Sequence, residues 1–202
     1  MAEMQTAFAV YAQWANGQLP EFQAEAAVFI DEKLYAQVSP LAPMAACARK
    51  ARDVLAKSGS PCHIYLLEDF DRLMARGFPY KAAVFAIPID TAELSKAVSR
   101  CQTQGIPYLR FTEESFLYTP EEYRAFFAKC GLWCYLDTED VCYVGNGYMA
   151  VHAAEAGVKK LRFPCKVSVF DCGGRKLSNP GTAFSVEMKQ HETQIFRMEK
   201  CE

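Results

Sequence analysis

Five carboxylates stand where apolar runs give way to polar sequence. Asp31 closes the run at 24–31, Glu68 and Asp69 follow 62–67, Asp90 follows 81–87, and Glu113 follows 106–111. The four runs read as buried strands separated by helical segments, the rhythm of an open parallel sheet. In such a sheet the residues just past the strands share one crevice. Asp31, Glu68, Asp69, Asp90 and Glu113 are therefore the candidate ligand-binding residues. A rim of this kind could hold a cation or accept hydrogen bonds from sugar hydroxyls. A carboxylate pair about 5 to 10 Å apart could act as acid and base on a glycosidic bond. The plainer reading is solvated loop acids, with Asp90 as a helix cap.

Other chemistry is thin. His63, His152 and His191 are far apart in sequence, so a Cys–His pair could arise only through the fold. No G-x-G-x-x-G, Walker or G-x-S-x-G motif occurs. Gly173-Gly174 follows a strand rather than opening a helix, which makes it a turn. The nine cysteines are odd in number and contain no Cys-x-x-Cys pair. They read as reduced thiols packing like small hydrophobes in a cytoplasmic protein. Cys130, Cys134 and Cys142 lack a histidine at useful spacing, so no metal is expected, nor any cofactor.

Composition narrows the partners. The net charge is −2 with no basic stripe, which argues against nucleic acid. No apolar run reaches the roughly 18 residues that cross a bilayer. The first residues lack the basic and apolar regions of a secretory signal.

The elements that must position the acids follow from periodicity. Residues 2–16 read as a helix with Phe8, Tyr11 and Trp14 at helical spacing and Gly17 as its cap. That helix is either ordinary packing or a connection from another domain. A second helix opens at Pro43 and ends at Ser58-Gly59. A third starts at Asp90 with Glu93 as its box partner and ends near Gly105. A fourth starts at Thr119-Pro120-Glu121-Glu122 and ends at Cys130-Gly131. Beyond 131, short β runs are expected at 132–136, 141–144, 148–153, 158–163, 166–171, 182–189 and 194–199. Asn146-Gly147 is a two-residue hairpin signal. The expected organisation is an N-terminal helix or linker at 1–17, a doubly wound α/β domain at 18–131 and a small antiparallel β module at 132–202. Aromatic residues crowd the junction, among them Tyr123, Phe127, Trp133, Tyr135, Tyr143 and Tyr148. Rings there serve an interface more often than a sugar platform.

Three stretches carry a resemblance: 24–31, 80–85, and above all Asp137-Thr138-Glu139-Asp140-Val141-Cys142-Tyr143-Val144-Gly145-Asn146-Gly147 with its continuation to Gly157. They resemble the C-terminal, glutamine-amidotransferase-like region of bacterial glycoside hydrolases of the β-galactosidase type. In family-42-like members that region follows a catalytic (β/α)₈ barrel and takes part in trimer formation. The resemblance implies a flavodoxin-like sheet without amidotransferase activity. The residues agree: no Gly-x-Cys-x-Gly turn follows 106–111, and no late His-x-Glu pair occurs. The family's catalytic carboxylates lie on the barrel, so no catalytic residue carries over. The implied role is a non-catalytic accessory or assembly domain, in a homo-oligomer or beside a hydrolase barrel. The chain would then be a fragment or a remnant of a larger enzyme. Two alternatives remain at this point: a carbohydrate- or small-ligand-binding module using the acidic rim, and a hydrolase with a dispersed site.

Overall fold

The structure, a computed structural model, describes residues 22–31, 53–111 and 118–201. The chain divides into two compact units, Ala24–Val141 and a unit of Met1–Gln23 with Cys142–Glu202. The expected helix at 2–16, the helix opening at Pro43 as far as residue 52, and Glu113 lie outside the described residues.

The first unit holds a four-stranded parallel sheet. Its strands are β1 (Ala26–Ile30), β2 (Cys62–Leu66), β3 (Ala82–Phe85) and β4 (Tyr108–Arg110), in the order β2-β1-β3-β4. Strands β1 and β3 are continuous apolar runs because helices cover both faces. Ala27, Phe29, Ala83 and Phe85 pack on one side against α1 (Phe70–Ala75) and α2 (Ala92–Gln104), through Phe70, Leu73, Leu94 and Cys101. Ala26, Val28, Ala82 and Val84 pack on the other against Leu55 and α3 (Pro120–Lys129), through Tyr123 and Phe127. This is the doubly wound α/β architecture. The strand order reverses between β1 and β3, which sets the crevice beyond those two strands.

Cap chemistry sets the helix ends. Thr119 Oγ1 accepts from the Glu122 amide at 3.3 Å, the Glu122 carboxylate accepts from the Thr119 amide at 2.7 Å, and Pro120 opens the helix. Helix α2 ends on Gly105 at φ 66°, where a left-handed backbone suits glycine. Its start differs from expectation. The cap is Thr91, not Asp90: Thr91 has the extended backbone (φ −122°, ψ 158°), and its Oγ1 accepts from the Leu94 amide at 3.1 Å. The oxygen that can reach the amide three residues on is the cap, and that geometry falls one residue later than Asp90. Glu93 is then too close to close a box.

Charged side chains tie the layers together. Asp71 on α1 binds Lys96 at 2.8 Å and Arg100, both on α2. The Lys96 ammonium, with Arg100 behind it, holds the Asp71 carboxyl below its usual range. At the amino ends of the strands, the Glu25 carboxylate accepts from Lys81 Nζ and from the Trp133 amide at 2.7 Å, and Lys81 Nζ also reaches the Gly131 carbonyl at 2.9 Å.

Residues 132–136, expected as a strand, form none. Two of their backbone groups bond to the turn before β2 instead. The Tyr135 amide donates to the Gly59 carbonyl at 2.8 Å, and Ser60 Oγ donates to the Trp133 carbonyl at 3.0 Å. The segment therefore has no ladder to join.

The second unit carries a five-stranded antiparallel sheet ordered β5-β6-β9-β7-β8: β5 (Val141–Gly145), β6 (Tyr148–His152), β7 (Gly157–Asp171), β8 (Gly181–Met188) and β9 (Thr193–Lys200). Asn146 and Gly147, at φ 53° and 74°, make the β5–β6 hairpin turn. The runs expected separately at 158–163 and 166–171 are one strand, β7, with a register shift between Arg162 and Val167. Pro164 sits in that shift, where a missing amide costs no ladder bond. Among the described residues no helix is long and apolar enough to cross a membrane.

Candidate functional site

The carboxyl edge of the parallel sheet is where this architecture places chemistry, and four of the five sequence-predicted acids are described there. Asp31 follows β1 directly. Glu68 and Asp69 lie in a 3-10 turn, Leu67–Asp69, that continues β2 into α1. Asp90 lies past β3. Because β2, β1 and β3 are neighbours about 4.8 Å apart, topology brings these residues to one edge. Nothing here places Glu113.

The acids do not form a bare anionic rim. Asp90 pairs with Arg110, the last residue of β4. Asp69 pairs with Arg72 on the first turns of α1 at 2.8 Å. Glu68 is exposed. Two guanidinium groups thus sit against two of the acids and reduce the field a cation would feel. Among the described residues no group of three or more His, Cys, Asp or Glu side chains is arranged to hold a metal ion. Arg110 was not among the expected site residues. Its signal was an arginine closing an otherwise apolar strand.

No poised nucleophile accompanies these groups among the described residues. A thiol attacks as thiolate. Burial pushes up three thiols of the first unit, Cys62 to about 12, Cys101 to about 11, and Cys130. The unit's histidine, His63, is the second residue of β2. It therefore lies roughly 10 Å short of that strand's carboxyl end at about 3.3 Å per residue.

His63 instead belongs to a hydrogen-bonded row with two tyrosines. Its Nδ1 lies 2.8 Å from Tyr80 Oη, which also bonds Tyr65 Oη. His63 and Tyr65 are two apart on one strand, hence on one face. Burial lowers the His63 pKa from its ordinary 6.5. Burial, then the bond to Tyr65, raises that of Tyr80. Neutral His63 can take the Tyr80 proton on Nδ1, and Tyr80 then accepts from Tyr65. The sign for stability follows. The unfolded chain protonates its imidazole more readily than the folded one, so this contribution is complete above pH 6.5 and declines as pH falls below it. Urea midpoints measured at pH 7.5 and 5.5 should drop more for the native protein than for His63→Gln, and parallel drops would refute the assignment.

In the second unit the fold unites two histidines that are distant in sequence. The pairing of β6 with β9 sets His152 opposite Thr193, whose Oγ1 is 2.8 Å from His152 Nδ1. The His191 ring then stacks near that of His152, with centroids 6.3 Å apart.

No protein-family model matches the chain, and no curated protein matches it. Among solved structures it is similar to the crystal structure of beta-galactosidase from Bacillus circulans sp. alkalophilus, with 12% sequence identity and a TM-score of 0.56. The match covers 87% of this chain and 41% of that one, so this chain spans about two fifths of that protein's length. At this identity the likeness is one of fold. Its coverage exceeds either unit alone, so it extends through both.

Proposed function

We propose that the chain is a non-catalytic accessory part of a β-galactosidase-like glycoside hydrolase, working in assembly or substrate access and not in turnover. The observation that carries this reading is the extent of the fold likeness. It takes in the parallel-sheet unit and the antiparallel module, and it corresponds to only part of a protein described as a beta-galactosidase. The chemistry of the sheet edge agrees with it. Cys62 and His63 lie toward the amino end of β2, away from that edge, burial raises the Cys62 and Cys101 thiols, and Asp69 and Asp90 are engaged by arginines. The partner would be a hydrolase barrel or further copies of this chain, with the amidotransferase-like sheet serving as scaffold. The setting would be cytoplasmic, where the described cysteines, none of them in a disulfide, stay as thiols.

The test is direct. The purified chain, incubated with chromogenic galactosides, should release chromophore no faster than buffer. Robust turnover that Asp31→Ala or Glu68→Ala abolishes would replace this reading with a hydrolytic one.

A further inference from the structure

The antiparallel sheet carries two exposed imidazoles on one fixed frame. His152 ends β6, and His191 lies in the turn between β8 and β9. Two backbone bonds fasten that turn to the end of β6. The Ala153 amide donates to the Glu192 carbonyl at 2.9 Å, and the His191 amide donates to the Ala153 carbonyl at 2.8 Å. The Glu192 carboxylate tightens the turn by accepting from the Lys189 amide at 2.7 Å and from Gln194 Nε2 at 2.8 Å. His191 holds φ 61°, a left-handed backbone that glycine would take at less cost. The turn carries an imidazole there, and the fold sets it beside the second one, with centroids 6.3 Å apart and planes 21° from parallel.

The hydrogen bond to His152 decides what the pair can do. Its Nδ1 lies 2.8 Å from Thr193 Oγ1. With the proton on Nδ1, that nitrogen donates to the threonine, and Nε2 keeps its lone pair. An imidazole fixed through one nitrogen and open at the other is the arrangement of a metal-ligating histidine. Two imidazoles bound side by side to one metal, at about 2.0–2.1 Å each, have centroids roughly 5 Å apart. The present separation closes to that by movements of about 1 Å, which exposed rings make by rotation. Imidazole nitrogen takes Cu2+, Ni2+ and Zn2+ in preference to Mg2+ and Ca2+. We infer that His152 and His191 are the two protein ligands of an open transition-metal site, with water completing the shell. Two ligands do not make the closed cage of structural zinc, so the ion exchanges with solvent. The site lies within the antiparallel unit and does not depend on the accessory role.

The test is a titration of the full-length protein with ZnCl2, followed by the imidazole proton resonances. Those of His152 and His191 should shift together and saturate at one equivalent, ahead of His63. A response from one of the pair alone would overturn the inference, whatever the variants do. His152→Gln and His191→Asn should each weaken Zn2+ binding about tenfold or more, because either bound imidazole presents the other at high effective concentration. Asparagine suits the left-handed backbone at 191. The double variant should be little weaker than either single one. Single variants that bind half as much Zn2+ with unchanged affinity would mean two independent histidines and would overturn the pair. So would loss of the site in Cys172→Ser, which removes an exposed thiol and neither imidazole.

Discussion

Gly59→Ala should destabilise the protein by roughly 3–4 kcal/mol, a fall in melting temperature on the order of 10 °C. Two separate costs add. Gly59 has φ 73°, a left-handed conformation that costs an L-residue with a side chain about 1 kcal/mol. The larger cost is space. A Cβ there would lie 1.7 Å from the Leu136 carbonyl oxygen and 2.8 Å from its carbon, with Cys134 Sγ at 3.1 Å. The obstacle is backbone, and that backbone is fixed. The Tyr135 amide is bonded to the Gly59 carbonyl, and Arg124 Nη1 spans the Lys57 and Thr138 carbonyls at 3.1 and 3.5 Å. Moving residues 134–136 aside would break the bonds that hold them to the turn before β2. Gly105→Ala is the control. It shares the left-handed backbone, at φ 66°, but meets nothing within 4 Å. It should cost only about 1 kcal/mol. Thermal melts of the two variants decide the matter: if Gly59→Ala melts no lower than Gly105→Ala, the close approach is not there.

That contact also shows where the sequence was readable and where it was not. Helix starts and hairpin turns are local chemistry. Thr119-Pro120 with Glu122, and Asn146-Gly147, announce themselves because each bond they make spans two or three residues. The buried strands β1 and β3 are nearly as plain, since burial on both faces leaves no polar position in the run. Residues 132–136 are different. Leu132, Trp133, Cys134, Tyr135 and Leu136 have strand-like composition, but the Tyr135 amide bonds Gly59 and the Trp133 carbonyl bonds Ser60, both more than seventy residues earlier. Nothing within the segment could reveal that. The candidate site divides in the same way. Asp31, Glu68, Asp69 and Asp90 could be placed beyond strand ends by pattern alone. The pairing of Asp90 with Arg110 could not, because it joins the loop after one strand to the end of the next. It also depends on a one-residue question, whether Asp90 or Thr91 caps α2. The nearness of His152 and His191 likewise follows from the β6–β9 register and from nothing local.

The second large effect is expected at Phe29, on the central strand of the parallel sheet. Phe29→Ala should cost about 4 kcal/mol, near the upper end for truncating a buried aromatic ring. Phe29 is fully buried. Its ring stacks on Phe85 at 5.4 Å and Tyr65 at 6.1 Å, and it meets Phe70 edge-on at 5.3 Å. It therefore joins β2 and β3 across β1 and connects all three to α1, so no single neighbour can move in to refill the space. Collapse is further resisted because Phe78, on the same cluster, is already held at φ 40° and stacks on Phe29 at 6.5 Å. Phe29→Leu, which keeps most of the volume, should lose less than half as much. Urea unfolding separates the outcomes. The midpoint of Phe29→Ala should fall steeply with the slope unchanged, because the same surface is exposed on unfolding. A small fall would mean that the aromatic cluster repacks. The cost is borne by the same strands that carry Asp31 and Asp90 at their carboxyl ends. Truncation of the Phe29 ring should therefore loosen the strands that position Asp31 and Asp90, although Phe29 lies within the core.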